Sequence, residues 1–151
     1  MAEAHLLEFA DKMGEIMPVL MKEFARHQTS EFYKTQITFS QFFILNFLNQ
    51  SGETKMKDLA GFMKVTTPAM TGIIERLVRQ GYLKRLYDTL DRRIIRVDLT
   101  VKGKGLLLKI KEQRRKIDLK VFARLSEEDR QDYLRIMQQI LESLAQENVL
   151  H

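Results

Sequence analysis

The stretch MKDLAGFMKVTTPAMTGIIERLVRQGYLKRLYDTLDRRIIRVDLTVKG, residues 56–103, decides the fold, because the spacing of its apolar residues changes twice. Met56, Leu59, Ala60 and Met63 recur at helical steps and predict a short helix. Thr66-Thr67-Pro68 then reads as a helix start, since a hydroxyl side chain caps free N–H groups and proline is tolerated in the first turn. In the helix that follows, Met70, Ile73, Ile74 and Leu77 form the buried stripe. Pro68, Thr71, Gly72, Glu75, Arg76 and Arg79 occupy the other face, and Gly81 ends it. Two short helices joined by a tight turn predict a helix-turn-helix. From Tyr82 the pattern becomes that of strands: 82–87 and 94–99 are rich in β-branched, aromatic and aliphatic residues, and the segment Asp88 to Arg93 between them predicts a hairpin with a charged tip.

Outside this stretch the chain is helical. Leu6, Phe9, Ala10, Met13, Ile16, Met17, Leu20 and Phe24 predict one helical face from about residue 4 to 28, with a bend near Gly14 caused by Pro18. Thr38 and Gln41 have capping-box spacing ahead of the apolar run Phe42 to Leu48, so a helix buried on most sides is expected there, stopping near Gly52. Thr100 is placed to cap a basic helix reaching Phe122. Ser126 followed by Glu127, Glu128 and Asp129 opens a last one, whose stripe is Tyr133, Ile136, Met137, Ile140, Leu141 and Leu144. The stripes of the first and last helices need cover, either from a core of their own or from a second copy of the chain.

At 151 residues the chain has room for one domain with helical extensions. The longest apolar run, Phe42 to Leu45, is far short of a membrane span, and no membrane partner is expected. Acidic residues at 3, 8, 11 and 15 fit neither a signal nor a transit peptide, so the expected location is the cytoplasm. With no cysteine there is no disulfide, thiolate metal site or thiol nucleophile. No HExxH, GxSxG or phosphate-binding loop occurs, and no catalytic site, cofactor or metal site is expected. His27 reads as an ordinary polar residue at a helix end rather than a ligand.

Charge is unevenly spread. Residues 54–122 carry 18 basic and 7 acidic side chains, net +11, while the segments on either side are each net −3. A basic middle between acidic ends suits a chain whose centre meets a polyanion. A helix fits the major groove of DNA, and a hairpin tip reaches a neighbouring minor groove, where narrow stretches attract arginine. The expected DNA-contacting residues are Thr66, Thr67, Pro68, Thr71, Gly72, Arg76 and Arg79 on the helix and Asp91, Arg92 and Arg93 in the hairpin. Asp91 is expected to hold the Arg93 guanidinium in an outward pose, with Asp88 doing the same for Arg92. The far end of the basic fifth helix is expected to face the acidic terminal helices.

Met56-Lys57-Asp58-Leu59-Ala60, Thr66 to Leu77, Gly81-Tyr82-Leu83-Lys84-Arg85, Asp88 with Asp91-Arg92-Arg93, and Val97-Asp98-Leu99-Thr100-Val101-Lys102-Gly103 together resemble the multiple antibiotic resistance regulator (MarR) family. The DRR hairpin followed by a strand and L-T-x-x-G is the specific part. The resemblance implies a mainly α winged helix-turn-helix with a small β-hairpin wing and N- and C-terminal dimerisation helices. It implies a homodimer that binds double-stranded DNA at a pseudo-palindromic operator, as a repressor, released by a small aromatic or phenolic effector. The boundaries expected are a dimerisation helix at 1–36, a DNA-binding lobe at 37–100 and dimerisation helices at 101–151. An effector pocket is expected near Met17, Met21, Phe42, Phe43 and Leu45. The rival reading is a winged-helix module that binds an acidic protein without specific DNA binding.

Overall fold

The computed structural model describes residues 2–26 and 37–147. Helix α1 (Ala2–Arg26) is followed by α2 (Phe39–Ser51), the short strand β1 (Thr54–Lys55), α3 (Met56–Phe62) and α4 (Thr67–Arg79). Strands β2 (Leu83–Tyr87) and β3 (Ile95–Leu99) lead into α5 (Val101–Phe122) and α6 (Glu127–Glu147). The architecture is mainly helical with one small antiparallel sheet in the order β1-β3-β2. The chain divides into two compact units, residues 1–114 and 115–151, so the division falls within α5.

The capping residues act as their types predict. Thr38 Oγ1 accepts the N–H of Gln41 at 3.3 Å and Gln41 Oε1 accepts the N–H of Thr38 at 3.0 Å, a complete capping box at the start of α2. That helix closes on Gly52, in the left-handed region at φ 72°, with its N–H on Leu48 O. Contrary to expectation, α2 is buried along one side only: Ile44, Leu45 and Leu48 lie in the core while Phe39 and Phe43 are exposed. Helix α1 runs unbroken through Pro18. The expected continuation to residue 28, and His27 itself, lie outside the described residues.

In the first unit, Ile44, Leu45 and Leu48 of α2 meet Leu59 of α3, Met70, Ile74 and Leu77 of α4, Leu83 and Val97 of the sheet, and Leu107 and Ile110 of α5. These aliphatic side chains are almost wholly withdrawn from water, each contributing about 1.5–3 kcal/mol by transfer alone. Strand β1 was not foreseen, because two residues carry no visible period. It pairs Thr54 with Val97 and Lys55 with Arg96, giving β3 a neighbour on each side.

The junction between α4, β2 and α5 is tightly specified. At the end of α4 the N–H of Tyr82 bonds Leu77 O and that of Gly81 bonds Val78 O, a Schellman closure with Gly81 at φ 79°. Thr100 Oγ1 donates to Gly81 O at 2.6 Å and accepts the N–H of Gly103 at 3.0 Å, so one hydroxyl caps α5 and fastens it to the end of α4. A Cβ on Gly103 would stand 2.1 Å from Tyr82 O.

In the second unit, Ser126 Oγ caps α6 through the N–H of Asp129 at 3.0 Å. Arg130 turns back to donate to Phe122 O at 3.2 Å and Leu125 O at 2.7 Å, satisfying carbonyls at the end of α5. Phe122 packs against Tyr133 with ring centroids 5.4 Å apart.

Because the atom that a Gly103 Cβ would strike is backbone, Gly103→Ala should lower stability by about 1–3 kcal/mol in urea unfolding. Gly105→Ala, two residues on in open space, should be neutral or stabilising.

Candidate nucleic-acid interface

Helix α4 presents a rigid face because both its ends are fixed. Thr66 Oγ1 accepts the N–H of Ala69 at 3.3 Å, and Pro68 sits in the first turn, where its missing N–H costs nothing. With Met70, Ile74 and Leu77 held in the core, Thr66, Thr67, Pro68, Gly72, Arg76 and Arg79 are exposed and Thr71 is half-buried. Thr71 Oγ1 donates to Thr67 O at 2.9 Å, so its proton is committed to the helix while its lone pairs and methyl remain. Among the described residues nothing outside the helix's own backbone lies within 4 Å of where a Gly72 Cβ would be, so the backbone is open at mid-helix.

The wing is a hairpin in register Leu83↔Leu99 through Tyr87↔Ile95. Its tip closes through Asp88 N–H to Ile94 O at 3.1 Å and Ile94 N–H to Asp91 O at 3.0 Å. Both tip aspartates turn inward on the backbone. Asp88 Oδ1 accepts the N–H groups of Leu90 at 2.9 Å and Asp91 at 3.3 Å, and Asp91 Oδ1 accepts that of Arg93 at 2.9 Å. This corrects the expected aspartate-to-guanidinium pairs: Asp91 fixes the backbone of Arg93 rather than its side chain, and Asp88 faces Arg96 at 3.9 Å rather than Arg92. The physical reason is reach, since a short carboxylate in a turn finds N–H groups two and three residues on before any long side chain. Arg92 and Arg93 are exposed, and Leu90 at the apex is 96% exposed.

Between α4 and the wing lies a groove of about 460 Å³ lined by Thr67, Thr71 and Glu75 of α4, Arg85 of β2, Arg93 to Ile95, and Lys55 to Lys57. Helix and wing thus share one concave surface with four cationic side chains, Lys55, Lys57, Arg85 and Arg93. Among the described residues Glu75 is its one acid and is 3.5 Å from Arg85 Nη2. Among the described residues Arg85 Nε is buried and finds no hydrogen-bond partner. Lys55, Lys57 and Arg85 were not among the expected contacts. Lys55 belongs to the unforeseen β1 and Lys57 lies in the first turn of α3, and Arg85 reads in sequence as one of many strand-face cations.

The residues expected at an effector pocket are placed differently from one another. Leu45 is in the core and Phe42 is half-buried against it, whereas Met17, Met21 and Phe43 are exposed. Among the described residues there is no group of three or more His, Cys, Asp or Glu placed to hold a metal, and no helix is long and apolar enough to cross a membrane.

The profile of the MarR family matches residues 37–95, the span that holds α2, β1, α3, α4, β2 and the wing tip and ends at the first residue of β3. The HTH-type transcriptional repressor MdtR of Bacillus subtilis is 30% identical over 64% of this chain and 62% of its own length. A MepR-like protein solved with pseudoligands is 30% identical over 86% of this chain and 92% of that one, with a TM-score of 0.60. The same fold occurs in a crystal structure of an S. aureus MepR–DNA complex, at 21% identity over 87% of this chain and 98% of that one, with a TM-score of 0.68.

The N–H groups of Leu90 and then Asp91, with the charges of Arg96 and Lys55 behind them, hold the Asp88 carboxyl below its ordinary value of 3.8. A carboxyl depressed in the folded state contributes stability above its unfolded value and loses it as pH falls through the folded one. An NMR titration should therefore place Asp88 below 3.8, and the tip amides of Leu90 and Asp91 should keep their shifts until the pH drops past that point.

Proposed function

We propose that this chain, which belongs to the MarR family, is a DNA-binding transcriptional regulator that works as a homodimeric repressor. The observation that carries this reading is the shared cationic groove: Thr67, Thr71 and Glu75 of α4 and the exposed Arg93 of the wing border one concavity. Helix α4 enters the major groove, with Thr67, Pro68, Thr71 and Gly72 near the base edges and Arg76 and Arg79 at phosphate or a guanine edge. Thr66 acts chiefly as the cap that holds α4 in shape. Arg93 enters the minor groove on a backbone fixed by Asp91, and Arg92 makes a second contact.

The terminal helices support a dimer. Leu6, Phe9, Ile16 and Leu20 of α1 are exposed, as are Tyr133, Ile136, Met137, Ile140, Leu141 and Leu144 of α6. Apolar stripes of this extent mark association surfaces. In this reading residues 1–36 and 101–151 join two copies, and residues 37–100 form the lobe that reads one half-site of a pseudo-palindrome in the cytoplasm. A small aromatic or phenolic effector would bind where a second copy covers Met17, Met21, Phe42 and Phe43, above Leu45. No catalytic step belongs to this reading.

Selection from a random duplex pool should return two half-sites about one helical turn apart. Affinity for the selected site should fall with salt at a log-log slope of about −0.9 per phosphate contact. Recovery of no motif would favour an acidic protein partner instead. Arg93→Ala should weaken binding to the selected duplex on the order of tenfold while leaving the sedimenting species a dimer. Ile140→Glu should shift sedimentation to the monomer and reduce operator affinity, with the circular dichroism of the lobe retained.

A further inference from the structure

Arg96 stands on the outward side of β3, directly opposite Lys55 of β1. Its guanidinium lies between two carboxylates from separate parts of the lobe. Nε is 3.5 Å from Oε1 of Glu53, in the link between α2 and β1, and Nη2 is 3.9 Å from Oδ2 of Asp88, at the root of the wing tip. The remaining Asp88 oxygen, Oδ1, accepts the tip N–H groups of Leu90 and Asp91. A continuous set of contacts therefore runs from the body of the lobe through Arg96 to the tip backbone, and on through Asp91 to the N–H of Arg93.

Two features set Arg96 apart from the exposed Arg92 and Arg93. It is flanked by acids on both sides, so most of its charge is answered within the protein. It also lies at the one strand that pairs with both β1 and β2, where it bridges the body and the wing. Partly exposed ion pairs of this length add little to global stability. Their effect is on pose: a two-stranded hairpin is weakly held on its own, and fixing its tip lowers the ordering cost of binding.

We propose that Arg96 is a positioning residue, tying the wing tip to the lobe through Glu53 and Asp88 so that Arg93 meets the duplex already oriented. This deepens the DNA-binding reading and rests on it. The sign of one substitution separates it from simple electrostatics. Removing a carboxylate beside a surface that meets a polyanion should tighten binding by Coulomb attraction alone. If Asp88 anchors the tip through Arg96, removing its charge should weaken specific binding instead.

The full chain is tested on the selected duplex and on a mixed-sequence duplex. Asp88→Asn retains an oxygen to accept from Leu90 and Asp91 but loses the charge that faces Arg96. It should bind the selected duplex about three- to tenfold more weakly. On the mixed-sequence duplex its affinity should be equal or higher, and its thermal unfolding midpoint should fall only slightly, since the Asp88 charge adds modestly to stability. Arg96→Met should show a similar loss on the selected duplex, and Arg96→Lys should recover part of it. In an Arg93→Ala background, Asp88→Asn should change affinity by less than about twofold, since the side chain being positioned is gone. Selected-duplex binding by Asp88→Asn as tight as wild type or tighter, or full additivity with Arg93→Ala, would overturn the positioning role while leaving the DNA-binding reading intact. Equal binding by wild type and Arg93→Ala would overturn both the wing contact and the role of Arg96 in orienting it.

Discussion

The hydroxyl of Thr100 holds three elements at one point. It donates to the Gly81 carbonyl just past α4, accepts the N–H of Gly103 in the first turn of α5, and sits at the end of β3. The backbone there is close enough to Tyr82 that only hydrogen fits on the Cα of Gly103. The direction in which α4 leaves the core, the angle at which the wing begins and the start of the long basic helix are consequently set together. Lys102 reinforces this by donating to Gln80 O at 2.8 Å while its ammonium lies 5.0 Å from the Tyr82 ring centroid. A helix offered to a groove is useful only when its orientation is fixed before contact, and this junction fixes it.

Electrostatics around the groove and the wing tip follow a division of labour. Acids there are turned inward, on backbone N–H groups or on a cation that supports the scaffold: Asp88 and Asp91 on the tip and Glu75 on Arg85. Arg92 and Arg93 remain exposed. A surface built this way keeps its positive potential, because each carboxylate that shapes it is answered locally. The exposed ion pairs are worth little as stabilisers, and the burial of Met70, Ile74 and Leu77 holds α4 in place.

Much of this was legible in the sequence. Caps at Thr38, Thr66, Thr100 and Ser126, and the left-handed glycines 52 and 81, announce element ends through chemistry confined to a few neighbouring residues. The hairpin strands were placed within one residue of the observed bounds, because alternation and the charged tip mark both ends. The details that escaped are tertiary. Strand β1 exists only because β3 offers it an edge, and the partner of Asp88 is set by a register that brings Arg96 beside it. The inward turn of Phe42 against the outward turn of Phe43 depends on which side of α2 meets the core, and adjacent phenylalanines do not reveal it.

The stripes of α1 and α6 bear on the same question from the opposite direction. Each was legible as amphipathic, and a stripe of that kind forms a stable helix mainly by burying its apolar face. Yet Leu6, Phe9 and Ile16 of α1 are each about three-fifths exposed, and Ile140 and Leu141 of α6 are about half or more exposed. Among the described residues the fully buried side chains come from α2, α3, α4, the sheet and the first half of α5, and none from these stripes. Helices that are unnecessary to the lobe but apolar along one side have a physical reason to exist when a second chain covers them. In the proposed reading a duplex with repeated half-sites would supply the reason for two lobes, because joining two weak readers multiplies their effective concentration at one operator.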